Sequence, residues 1–153
     1  MTEIFLGLGA NLGDRQQNIT NAVKLLEKHE DIKIEKISSL IQTKFSGGSD
    51  KQPDYLNGAL KIQSDLSPQE LLAYLEGIER AMGRIGKTNW LPRPIDIDIL
   101  FYGHEVICED DLTIPHPLLH ERDFVIIPLL EIAPDFVHPI FNETIESLYA
   151  ELT

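Results

Sequence analysis

The apolar positions of this chain repeat with two different periods. Residues 3–8, Glu-Ile-Phe-Leu-Gly-Leu, are an apolar, β-prone run that reads as a buried strand. Gly-Ala-Asn-Leu-Gly-Asp follows as a turn. From about Arg15 to His29 the period becomes helical, with Ile19, Ala22, Val23, Leu25 and Leu26 as the apolar stripe. Over 32–41, Ile32, Ile34 and Ile37 alternate with Lys33, Glu35 and Lys36, with a slip near Ser38, which predicts a strand with a bulge. Residues 45–54, rich in Gly, Ser, Asp and Pro, predict a loop, and 55–65 the next strand. Ser67-Pro68-Gln69-Glu70 opens a helix: serine can cap, proline suits the first turn and glutamate stands at the capping-box position. That helix runs to about Met82, with Leu71, Leu72, Leu75, Ile78 and Met82 inward. A loop over 83–94 leads to the strand Ile-Asp-Ile-Asp-Ile-Leu-Phe-Tyr, and 107–117 reads as irregular and extended. A helix is expected over about 122–132, and a last one over 143–151 with Asn142 as its cap.

The order β-α-β-β-α-β predicts an α+β, ferredoxin-like core with an antiparallel sheet and helices on one face, the C-terminal helices covering further surface. At 153 residues the chain is expected to be one domain, 1–153, with one core.

Charge narrows the function classes. Lys and Arg number 13 against 25 Asp and Glu, a net charge of −12, which argues against nucleic-acid binding and against docking on an anionic membrane. No apolar run approaches the ~20 residues of a membrane span, and the N-terminus lacks the basic start of a signal peptide. Cys108 is the lone cysteine, so neither a disulfide framework nor a cysteine metal site is expected, and a cytoplasmic location is the simplest inference.

Asp96-Ile97-Asp98-Ile99 is the sharpest chemical feature. On a strand, residues two apart share a face, so the carboxylates would stand about 7 Å apart at their roots and could converge on a hard cation such as Mg2+. Between Arg80 and Pro94 there is no acidic residue, while Arg80, Arg84, Lys87 and Arg93 are present. A basic loop running into an acidic strand suits a polyphosphate bridged by metal, and Gly83 and Gly86 would let the loop close. His116, between Pro115 and Pro117, could donate to a phosphate oxygen. Tyr55 and Asn57 share a strand face and suit a flat heterocycle, with Phe124 and Trp90 as further stacking partners. Gly-Leu-Gly-Ala-Asn-Leu-Gly at 7–13 lacks both the GK[ST] ending and the GxGxxG spacing of nucleotide loops. These residues leave open another DxD metal enzyme, such as a nucleotidyltransferase, and a non-catalytic binding module that kept the fold and binds a heterocycle or nucleotide.

Taken as a set, LGANLGD at 8–14, QPDYLN at 52–57, PRPIDIDILFYG at 92–103 and LTIPHPLLHERDFVIIPLLEIAP at 112–134 resemble the 6-hydroxymethyl-7,8-dihydropterin pyrophosphokinases. The resemblance covers almost the whole chain. It implies transfer of the β,γ-diphosphate of ATP to the pterin hydroxymethyl group with release of AMP, in folate biosynthesis. It implies that two Mg2+ ions are held by Asp96 and Asp98, with Arg84 and Arg93 joining them in the catalytic set. For ATP it implies Glu79, Arg84, Lys87, Trp90, Arg93, Ile99, Leu112, Thr113, His116 and Arg122. For the pterin it implies Thr43, Tyr55, Asn57, Asp96 and Phe124. Asn89 and Gly86 stand where many members carry arginine, which implies weaker ATP binding than in those relatives. A monomer is expected, with ATP and the hydroxymethyl dihydropterin as its partners.

Overall fold

The computed structural model describes residues 1–43, 54–83 and 94–152. The elements run β1 (Thr2–Ala10), α1 (Arg15–Glu27), β2 (Ile32–Ile37), β3 (Ile41–Thr43), β4 (Tyr55–Ser64), α2 (Pro68–Ala81) and β5 (Asp96–Tyr102). A hairpin follows, β6 (Ile107–Glu109) and β7 (Leu112–Ile114), then a 3-10 turn (Leu119–Glu121), α3 (Asp123–Ile132) and α4 (Ile145–Leu152). The main sheet has the order β2-β4-β1-β5, with β3 extending the pairing along β4, and its paired neighbours are antiparallel. Two strand–helix–strand units therefore interleave, each helix connecting strands separated by one other. This is the ferredoxin-like arrangement expected from element order.

Local sequence sets the element boundaries. The Asp14 side chain accepts the Gln17 amide at the start of α1, and Ser67 and Glu70 close a reciprocal capping box at the start of α2. The predicted strand over 32–41 divides in two. Ser38 stays bonded to β4 but breaks the regular ladder: its amide donates to the Ala59 carbonyl, while its hydroxyl accepts from the Ala59 amide and donates to the Ser39 carbonyl. Glu131 then receives both the amide and the hydroxyl of Ser39.

The sheet is covered on both faces, so the one-sided covering of the core is completed by the C-terminal helices. Ile4, Leu6, Leu8, Ile62, Ile97 and Ile99 pack against α1 and α2. Phe5, Ala59, Leu100 and Phe101 pack against α3 and α4. This two-sided burial is why β1 reads as a continuous apolar run although its neighbours are antiparallel. The register shifts between Phe5 and Leu6, leaving Leu100 bulged, so that Leu100 and Phe101 share one cluster.

Two expectations are corrected. Residues 107–114 are a two-stranded hairpin around Asp110-Asp111, not an irregular stretch. The last helix starts at Ile145, and Thr144 caps it by accepting the Ser147 amide; Asn142 instead occupies a left-handed turn at φ 57°. Among the described residues no helix is long and apolar enough to cross a membrane.

Candidate active site

The site is built on the sheet face away from α1 and α2. Ile97 and Ile99 point into the core below those helices, so Asp96 and Asp98 point to the other side, both half-buried. Their cross-strand partners on β1 are Gly9 and Gly7. Gly9 in turn pairs with Asn57 on β4, and Asn57 with Ile41 on β3, so one row runs Asp96, Gly9, Asn57, Ile41 across four strands. Tyr55 lies two residues from Asn57 on the same face and pairs with Thr43. The carboxylates and the aromatic–amide pair thus flank a central strand that carries no side chain between Asn57 and Asp96.

Asn57 is buried, and its Nδ2 donates to Thr43 Oγ1 at 2.7 Å. That bond fixes the amide plane and leaves the carbonyl Oδ1 turned toward Gly9. Below β4, Arg15 of α1 donates to the Asp54 carbonyl at 2.7 Å and to Gln42 Oε1 at 3.3 Å, while Gln42 donates to the Asp54 carboxylate at 3.1 Å. Arg15 therefore ties the residue before Thr43 to the residue before Tyr55. Sequence reasoning missed it, because a first-turn helix arginine carries no local mark of that contact.

Glu79 is buried on α2, and its Oε2 accepts the amide N–H of Ile97 at 2.8 Å. A buried carboxylate thus holds the backbone between the two aspartates. The signal was present: Leu71, Leu75, Ile78 and Glu79 all lie on the inward stripe of the helix.

His116 closes the other side. Its amide donates to the Leu100 carbonyl at 3.1 Å, docking the segment beside β5. Burial, and then the positive charge of Arg122, push its imidazole below the usual histidine range, while the carboxylate of Asp96 pulls the other way. Nδ1 receives the Leu118 amide at a long 3.4 Å, which leaves Nε2 as the protonated donor of the neutral ring. The Arg122 guanidinium stands 5.7 Å from the centroid of the Phe124 ring, a cation–π contact in the first turn of α3. Of the other expected nucleotide contacts, the side chains of Ile99 and Leu112 are buried in the core and Thr113 is exposed on the hairpin. Arg84, Lys87, Trp90 and Arg93, with Gly86 and Asn89, lie outside the described residues.

The donor chemistry suits a magnesium ion. Among the described residues no group of three or more His, Cys, Asp or Glu is placed to hold a metal. Two half-buried carboxylates on one face match a hard cation that completes its shell with water and substrate phosphate oxygens.

The chain is similar over most of its length to proteins of one family. The family model for 7,8-dihydro-6-hydroxymethylpterin-pyrophosphokinase (HPPK) matches residues 5–134. A 2-amino-4-hydroxy-6-hydroxymethyldihydropteridine pyrophosphokinase of Aquifex aeolicus is 44% identical over 153 residues, covering 100% of this chain and 94% of that protein. Its namesake in Haemophilus influenzae is 41% identical over 139 residues, covering 91% and 86%. Among solved structures, a Plasmodium falciparum HPPK-DHPS superposes with a TM-score of 0.78 at 19% identity, a likeness of fold. This chain spans 44% of that longer one.

Proposed function

The chain belongs to the 7,8-dihydro-6-hydroxymethylpterin-pyrophosphokinase family, and we propose that Asp96 and Asp98 are the carboxylates that hold Mg2+ for its reaction. That reaction is pyrophosphoryl transfer from ATP to the hydroxymethyl group of the dihydropterin, with release of AMP, in folate biosynthesis. The observation that carries the metal assignment is the shared face of the two carboxylates, opposite a strand without intervening side chains. When bound, up to two magnesium ions would neutralise charge on the phosphate oxygens.

The protein's own groups orient the partners. Tyr55 offers a ring face to the pterin, with Phe124 as the second ring, while the Asn57–Thr43 pair reads its edge. Asp96 lies in the same row as Asn57, so the hydroxymethyl end of a pterin seated there points toward the carboxylates. His116 donates Nε2–H to a phosphate oxygen, and Arg122 adds positive charge beside it. Ile99 and Leu112, whose side chains are buried, meet the nucleotide through their backbone, and Thr113 through its exposed hydroxyl. From the family resemblance, Arg84, Lys87 and Arg93 hold phosphates, Trp90 stacks and Glu79 supports the ATP site. Such transfer needs in-line positioning and charge neutralisation more than a strong base. We also propose a cytoplasmic monomer; the exposed thiol of Cys108 suits a reducing compartment.

The test is incubation with ATP, Mg2+ and 6-hydroxymethyl-7,8-dihydropterin, followed by identification of the nucleotide product. AMP is expected, and its formation should stop when Mg2+ is chelated. Asp98→Ala should abolish turnover while the far-UV spectrum is retained. Pyrophosphate release would indicate nucleotidyl transfer instead, and a normal rate in the Asp98 variant would remove the metal assignment.

A further inference from the structure

We infer that Gly9 is a specificity-determining residue of the pterin site, keeping open the corner where Asn57 and Tyr55 meet the substrate edge. The inference rests on the reading of Asn57 and Tyr55 as pterin-binding residues.

The backbone does not explain a glycine here. Among the described residues, the glycines with left-handed φ are Gly13, Gly83 and Gly103. Gly9 is ordinary strand, paired with Asn57 on one side and Asp96 on the other. A glycine inside a central strand weakens it and often marks a close approach by a ligand or another backbone.

Space does explain it. A Cβ at position 9 would lie 3.0 Å from Asn57 Oδ1 and 3.6 and 3.9 Å from two ring carbons of Tyr55. The vacated position is therefore the meeting point of the edge acceptor and the stacking ring. Asn57 cannot swing aside freely, because its other amide atom is bound to Thr43 at 2.7 Å. Gly7 is a contrast on the same strand and face. A Cβ there would meet three carbons of the Leu100 side chain at 3.3–3.5 Å, so that gap is filled by core packing.

A methyl group at position 9 would displace the Asn57 carbonyl or hold the heterocycle away from it. Losing one such hydrogen bond corresponds to about tenfold in affinity. The nucleotide should not sense the change.

The test is a binding titration with Gly9→Ala, Gly7→Ala and the unaltered protein. Each is titrated first with α,β-methylene-ATP and Mg2+, then with 6-hydroxymethyl-7,8-dihydropterin. Gly9→Ala is expected to weaken pterin binding about tenfold or more while analogue affinity stays within about twofold; Gly7→Ala should stay within about threefold for both. Unchanged pterin affinity in Gly9→Ala overturns the inference. So does a parallel fall in both affinities, which would place the effect on the fold. If the unaltered protein fails to bind the pterin, the underlying pterin reading falls, and this assignment falls with it.

Discussion

The carboxylate of Glu79 accepts the amide N–H of Ile97 at 2.8 Å, and Ile97 is the residue between Asp96 and Asp98. A helix on one face of the sheet thereby fixes the backbone that aims two carboxylates from the other face. Glu79→Ala would leave a buried N–H without its acceptor, at a cost of about 1–3 kcal/mol. It should also raise the Mg2+ concentration needed for half-maximal rate, with little change in the pterin KM. Glu79→Gln keeps a carbonyl acceptor and should recover most of the metal response. Equal Mg2+ curves for the alanine variant and the unaltered protein would contradict this positioning role.

Arg15 gives a second prediction. One guanidinium reaches the Asp54 carbonyl and Gln42, which precede Tyr55 and follow Ile41 on facing strands. Arg15→Ala should raise the pterin KM several-fold with kcat nearly unchanged, because it loosens the strand ends that carry Tyr55 and Thr43 and leaves the carboxylate row alone. Arg15→Lys should restore only part of the loss, since an ammonium lacks the planar fork that meets two acceptors. Steady-state kinetics with varied pterin would show it; a loss confined to kcat would count against it.

The parts of this molecule legible in sequence are those governed by nearest neighbours. Ser67 and Glu70 announce a helix start because both bonds of the capping box lie within four residues. Asp96 and Asp98 share a face because strand geometry enforces it, and the structure keeps them so. What escaped depends on distant chain segments. The burial of Glu79 depends on β5 packing beneath α2, though its place on the helical stripe pointed that way. The hairpin over 107–114 was hidden because Asp-Asp is not one of the usual two-residue hairpin turns. Asn142 and Thr144 are both cap-forming residue types; the chain uses Asn142 for the left-handed turn, and so the cap falls to Thr144.

The pH dependence of activity should report on His116. Burial and Arg122 both favour its neutral form, so its protonation belongs to the acid side of the usual histidine range. Protonation leaves Nε2–H in place but falls on Nδ1, which then can no longer accept the Leu118 amide that holds the ring. The acid limb of kcat/KM is therefore expected below about pH 6.5, with the rate flat above it as far as this residue is concerned. Removing the nearby positive charge by Arg122→Ala should move that limb upward in pH, besides lowering the rate. A limb that stays fixed in the variant would show that another group sets it.

Stability should fall in acid through His138. Its ring is buried against Phe101 and Phe141, and burial first, then the charge of His120, push it down to about 4. Nδ1 receives the amides of Ile140 and Phe141 at 3.1 and 3.3 Å, contacts a protonated nitrogen cannot accept. Because the folded value lies below the unfolded one, the unfolded chain binds the proton more readily. The contribution is thus complete above about pH 6.5 and is lost progressively as pH falls toward 4, by roughly 2–3 kcal/mol. His138→Asn keeps an acceptor for the amide two residues on, as asparagine does in turns, and has nothing to titrate. Urea midpoints at pH 7, 5.5 and 4.5 should therefore decline less in the variant than in the unaltered protein. Parallel declines would assign the acid loss to the carboxylates instead.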